Sequence, residues 1–105
     1  MAGKVHEILR KTASANSTIN YKKLGDRIGI HYRGDKMNNT LDSVDRTYYQ
    51  TYDCVITALV VRKREGTSSR GFYEMARELG FDVKNFDIDF WESHREKAMR
   101  ALIDD

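Results

Sequence analysis

The stretch Tyr21-Lys22-Lys23-Leu24-Gly25-Asp26-Arg27-Ile28-Gly29 decides the fold. Tyr21, Leu24 and Ile28 fall on one face of a helical repeat. Asn20, just ahead, can accept a hydrogen bond from the free N–H groups of a new helix. Gly29 follows the last periodic residue, where a left-handed stop is expected. Residues 30–34 read as a turn with Gly34 as its flexible point, and Asp35 as the cap of the next helix. Met37, Leu41, Val44 and Tyr48 then recur at helical offsets, which predicts a helix to about Tyr52. Two helices joined by a short glycine-containing connection make a helix-turn-helix pattern.

Working outward, Val5, Ile8 and Leu9 predict a short amphipathic helix over residues 3–13, followed by a polar turn from Ser14 to Thr18. On the other side, Val55-Ile56-Thr57-Ala58-Leu59-Val60-Val61 is short, β-branched and apolar on both faces, so it reads as a buried strand. It runs into the polar, basic, glycine-bracketed segment 62–71, which reads as a loop or wing. Phe72, Ala76 and Leu79 predict a short helix stopped by Gly80. Val83 and Phe86 suggest a short extended piece. Asp89 with Glu92 forms a capping-box pattern before a last helix over 90–103, with Trp91, Arg95, Ala98 and Leu102 on one side. The fold class is α+β: one helix-rich, winged helix-turn-helix-like domain over residues 1–105, with a small sheet.

Composition agrees with one domain. The chain has 105 residues, 40% hydrophobic and 32% charged, enough apolar material for one modest core and too much for a disordered chain. No repeat or low-complexity tract interrupts it, and there is no proline. Cys54 is the single cysteine, so no internal disulfide forms, which fits a reducing compartment and a cytoplasmic location. Met1 to Lys11 has no apolar core of the signal-peptide kind. The run Val55–Val61 is far too short for a membrane span, which takes about 20 apolar residues.

The net charge of +2 is modest, so the distribution of charge matters more than its total. Lys22, Lys23 and Arg27 form one basic cluster; Arg62, Lys63 and Arg64, with Arg70, form another on the wing, where they could grip a phosphate backbone. The third helix offers Lys36, Asn38, Asn39, Ser43 and Arg46 on its exposed face, and asparagine can pair with adenine edges. The same helix carries Asp35, Asp42 and Asp45, which DNA should repel. Tyr48, Tyr49 and Tyr52 could stack on bases, but such residues more often plug a core with the hydroxyl at its edge. Gly66-Thr67-Ser68-Ser69-Arg70-Gly71 could cradle a phosphate, but a plain wing is the preferred reading. A small nucleotide held between that loop and the tyrosines stays open as an alternative. Asp87 and Asp89, with Glu92 nearby, could bind a hard cation, yet an exposed strand residue and a helix cap explain the two aspartates better. His6, His31 and His94 lack ligand spacing. No metal, cofactor or catalytic constellation is expected.

The segments Tyr21–Gly29, Met37 with Leu41, and Val60-Val61 followed by a glycine-containing wing resemble the DNA-binding domain of alkylguanine alkyltransferases and alkyltransferase-like proteins. The resemblance covers roughly residues 19–71 and implies a winged helix-turn-helix. It places Thr57 at the family's alkyl-accepting cysteine, Ala58 at its histidine and Asp35 at its base-replacing arginine. A threonine without an adjacent base is a poor nucleophile, so neither alkyl transfer nor base flipping is expected. Cys54, three residues upstream, would point to the opposite face of a strand. Ile56-Thr57-Ala58-Leu59-Val60-Val61, with Arg70-Gly71-Phe72, Val83 and Phe86-Asp87, is also similar to a group of short bacterial and phage proteins of unknown function. That likeness spans nearly the whole chain and implies a phage or mobile-element setting.

The expectation is a non-enzymatic protein that binds nucleic acid, duplex DNA foremost, through Lys22, Lys23, Lys36, Asn39, Arg46, Arg62, Lys63, Arg64 and Arg70. The alternative, motivated by the acidic third helix, is a phage or mobile-element factor that binds and blocks a host defence component, either a protein or a signalling nucleotide. A homo-oligomer is allowed; a membrane partner is not expected.

Overall fold

Local capping chemistry sets the two helices on either side of the Gly29 turn. In the computed structural model, which describes all residues from Met1 to Asp105, the Asn20 side chain accepts from the Lys23 N–H at 2.8 Å. It thereby opens α2 (Tyr21–Ile28), which follows α1 (Ala2–Ser14) and a two-residue strand β1 (Ile19–Asn20). Gly29 ends α2 in the left-handed region at φ 79°, as its position in the sequence predicts. Gly25 is required for another reason: a Cβ there would sit 2.6 Å from the Ile30 carbonyl oxygen, so the turn folds tightly back on the helix. α3 (Asp35–Tyr52) follows. Its cap is Gly34 at φ 102°, one residue earlier than predicted, and Asp35 lies in the first turn, where its charge still suits the helix dipole.

The largest correction concerns residues 55–61. Only Val60–Val61 forms a strand, β2, paired in parallel with β1 through Ile19 opposite Val60 and Asn20 opposite Val61. Residues Ile56–Leu59 form a 3₁₀ turn instead. Two causes act together. The ladder cannot extend past Asn20, because Tyr21 already begins α2. The segment also lies between two cores and feeds both. Val55, Ala58 and Val61 enter one cluster, and Ile56, Leu59 and Val60 the other. Val55, Ala58 and Val61 recur every three residues, which is the 3₁₀ repeat rather than the strand alternation of two.

The larger cluster joins Val5, Leu9 and Ala13 of α1 to Leu24 and Ile28 of α2 and to Met37, Leu41 and Val44 of α3. It is closed by Ala98, Met99 and Leu102 of α5 (Ile88–Ile103). The smaller cluster packs Phe72, Tyr73 and Ala76 of α4 (Arg70–Glu78) against Trp91 of α5. Truncating one such aliphatic side chain to alanine typically costs about 2–5 kcal/mol. The extended piece suggested by Val83 and Phe86 is not a strand. Arg77 donates to the Val83 carbonyl at 3.0 Å, so a side chain holds that backbone where no sheet edge reaches it. The cap of α5 is Asp87, which accepts from the Phe90 N–H at 3.1 Å; Asp89, predicted as the cap, lies in the first turn. The architecture is thus α+β and helix-rich, with five helices and a two-stranded parallel sheet. No helix is long and apolar enough to cross a membrane.

Candidate nucleic-acid interface

The first turn of α2, the start of α3 and the loop after β2 meet around a groove of about 470 Å³. Asn20, Tyr21 and Lys22 supply one wall, Met37 and Asn38 another, and Arg62, Lys63, Arg64, Glu65 and Ser69 the loop side. Tyr32 and Arg33, from the turn between the two helices, complete it. The loop is shaped from within. The Arg62 N–H donates to the Thr67 carbonyl at 2.7 Å, and Gly66 donates back to Arg62 at 2.9 Å. The Arg62 guanidinium bonds the Thr67 hydroxyl at 2.9 Å, pairs with Glu65 at 3.4 Å and lies 4.8 Å from the centre of the Phe86 ring. Arg62 therefore holds the loop together, while Lys63 and Arg64 stand exposed beside it. Arg33, Lys63 and Arg64 have no carboxylate within 4.0 Å; Lys22 has one, exposed Asp26 at 3.3 Å. The groove is a concave surface lined by three unpaired cations and by the aromatic rings of Tyr21 and Tyr32.

Four residues picked from the sequence, Lys22, Arg62, Lys63 and Arg64, thus converge here. Lys36 and Asn39 are exposed on the first turns of α3 without lining the groove; Asn38 lines it instead. Lys23 faces the other side of α2, into a recess with Lys11 and Arg27. Arg46 is bound to Glu78 of α4 at 2.8 Å. Ten residues separate it from Lys36, about 15 Å along the helix. Arg70 lies in a second, acidic recess of about 510 Å³ with Asp42, Glu74 and Glu78. Sequence reading missed Arg33 and Tyr32. The signal that could have found them is an adjacent aromatic and basic pair, Tyr32-Arg33, directly before the turn glycine Gly34; in the fold the guanidinium lies 5.2 Å from the Tyr32 ring centre.

The acidic reading of α3 needs correction. Asp45 does not face solvent: it is 2% exposed, and its carboxylate accepts from the Thr57 hydroxyl at 2.6 Å and the Thr57 N–H at 3.3 Å. Burial pushes its carboxyl up to about 7, against the two hydrogen bonds from Thr57. Asp42 remains half-buried beside the acidic recess, and burial, then repulsion from Glu78 and Glu74, raises its carboxyl too, with Arg46 opposing.

Thr57 and Asp45 place a hydroxyl beside a carboxylate, the pairing of a nucleophile with a base. The space beside them is about 10 Å³, about one water molecule. Ala58 turns its carbonyl to the Trp91 indole N–H at 3.0 Å. Cys54 is buried in the larger core, where burial drives its thiol up to about 11.

Other candidates are also engaged. The Ser68 hydroxyl is fully buried and donates to the Val60 carbonyl at 2.7 Å, and the Ser69 N–H donates to the Tyr21 hydroxyl at 2.9 Å. The segment 66–71, read from the sequence as loop but with Arg70 and Gly71 already in α4, therefore offers no free cradle at those two groups. Tyr48 stacks on His6 at 4.1 Å, Tyr52 donates to Asp105 at 2.6 Å, and Tyr49 meets Phe81 edge-on at 6.0 Å. None of the three lines the basic groove or the recesses beside loop 66–69. Asp87 is occupied as the α5 cap. The chain matches no protein-family model, no curated protein and no solved structure.

Proposed function

We propose that this is a non-enzymatic winged-helix protein of phage or mobile-element type that binds nucleic acid, foremost duplex DNA, in the basic groove. The observation that carries the reading is the convergence of Lys22, Arg33, Lys63 and Arg64 around one concavity at the start of α3. In this reading α2 and α3 are the helix-turn-helix and loop 62–69 is the wing. Lys63 and Arg64 hold phosphates, while Asn38, which lines the groove, faces the bases. The inward turn of Asp45 supports it, because one of the three aspartates thought to repel DNA is removed from the surface. Titrating a labelled duplex at increasing salt tests it: affinity should fall linearly on a log–log plot, by about 0.9 per phosphate contacted. Absence of binding at low salt overturns it.

A second reading is favoured by the acidic recess. Asp42, Glu74 and Glu78 could face a basic surface of a host defence protein, which the chain would block. Retention of a basic partner that Glu74→Gln weakens would support it, and indifference to that change would count against it.

A further inference from the structure

On the opposite side of α2 from the groove, the end of α1, the turn at 15–18 and α2 enclose a recess of about 280 Å³. Lys11, Lys23 and Arg27 line it, with Ser17 and Thr18, and no acidic residue does. Lys23 and Arg27 are one helical turn apart on α2. Lys11 reaches across from the last turn of α1. All three are exposed, and none has a carboxylate within 4.0 Å. Fourteen of the eighteen lysines and arginines lack a carboxylate partner, so what sets this recess apart is that three of them line one concavity that no acidic residue shares. The C-terminus of α1 brings about half a negative charge toward this recess, which three full positive charges outweigh.

We infer that this recess is a second phosphate-contact site, and that the ligand is a polyphosphodiester lying across α2 rather than a single nucleotide. The inference rests on the nucleic-acid reading of the groove and adds the ligand's reach. Adjacent residues part the two sites: Lys22 faces the groove and Lys23 the recess. A helix with its side chains is about 10–12 Å wide, and one DNA strand carries a phosphate about every 3.4 Å along the axis, so spanning both takes about four or five phosphates. A mononucleotide fills one site or the other.

The test is the salt dependence of binding to a labelled duplex of about two helical turns, with three charge-removing triple variants. Lys11→Gln, Lys23→Gln and Arg27→Gln together should lower the slope by about 2–3, at about 0.9 for each phosphate no longer neutralised. Lys22→Gln, Lys63→Gln and Arg64→Gln should lower it by a similar amount. The same charge removed at exposed Lys4, Lys84 and Lys97 should leave it unchanged. If the first triple melts early, Arg27→Gln alone should lower the slope by about 0.9. A slope that drops only in the groove variant overturns this inference and leaves the proposed function standing. So does an equal drop in the control variant, which would mean a general charge effect. No binding by the unmodified protein overturns both.

Discussion

The buried polar seam beneath α3 and the basic groove above it share a wall, Tyr21, Asn38 and Ser69, and hold polar groups in opposite states. In the seam, Asp45 is bonded to Thr57, Ser68 to Val60, and Trp91 to Ala58 and Ser68 at 3.0 Å each. In the groove, Arg33, Lys63 and Arg64 have no ionic partner. An unsatisfied buried polar group costs about 1–3 kcal/mol, so the seam fixes geometry. Exposed cations cost little to leave unpaired and stay available to a polyanion. The difference separates residues that shape the site from those that meet a ligand. Thr57 and Lys63 are six positions apart in the chain and fall on opposite sides of that division.

The largest effects belong to the seam and its neighbour His94. Asp45 has a folded carboxyl pKa of about 7, above its unfolded value, so the stability it contributes is full below about pH 4 and is lost as pH rises through about 7. His94, 3% exposed and stacked 4.3 Å from Phe90, is pushed down to about 4 by burial and then by Lys97. Its contribution has the opposite sign: full above the unfolded value of 6.5 and lost as pH falls through about 4. Between about pH 4 and 6.5 the two oppose each other, and each is of the order of 3–4 kcal/mol. Urea denaturation of the unmodified protein should therefore show little net slope from this pair. Asp45→Asn, which keeps an acceptor for Thr57, should make stability rise with pH across that window. His94→Asn should make it fall. If both variants keep the unmodified pH profile, the seam is neither dry nor engaged.

Much of the scaffold was legible because short-range chemistry wrote it. Asn20, Gly29 and Gly80 act within one turn of their own position, and the stripe Met37, Leu41, Val44 survives folding unchanged. Residues 55–61 were misread because every position but Thr57 is apolar, so a three-residue repeat is invisible until two cores stand on either side. Asp42 and Asp45 look alike in the sequence, and only the approach of Thr57, twelve residues on, tells them apart. The groove was half legible. Its lysines and arginines come in runs, but neighbours in a run part company: Lys22 from Lys23 across α2, and Arg62 into the loop interior while Lys63 stays outside. Trp91 was placed on the correct face of α5, but its indole partners lie 33 and 23 residues away, beyond any local signal.

In the groove, the informative change is Lys63→Gln with Arg64→Gln. Duplex affinity at low salt should fall about tenfold or more, a loss of at least about 1.4 kcal/mol, with the salt slope reduced by about 1.8. Urea stability should stay within about 0.5 kcal/mol, because neither side chain is engaged by the fold. An equal loss of stability would place these residues with the seam. Smaller again is Arg46→Ala. The Arg46–Glu78 pair is 59% exposed on both sides, so its removal should cost between about 0.2 and 1 kcal/mol and leave duplex affinity within about twofold.

The smallest effect discriminates most. Asp42 lies beside Asn38, which lines both the groove and the acidic recess. Its charge is therefore felt by whatever occupies either one. If duplex DNA fills the groove, Asp42→Asn removes a repulsion from nearby phosphates. Affinity should rise about twofold, roughly 0.4 kcal/mol, and the gain should fade as salt screens the interaction over about a Debye length. If a basic protein surface fills the recess, the same substitution removes an attraction and weakens that complex. Acidification should mimic the substitution, because burial and the neighbouring glutamates raise the Asp42 carboxyl and so protonate it ahead of an ordinary surface carboxylate. Paired titrations of the unmodified and Asp42→Asn proteins, at two salt concentrations, read the sign of the change. A sign that favours the duplex assigns function to the groove, and the reverse sign assigns it to the recess.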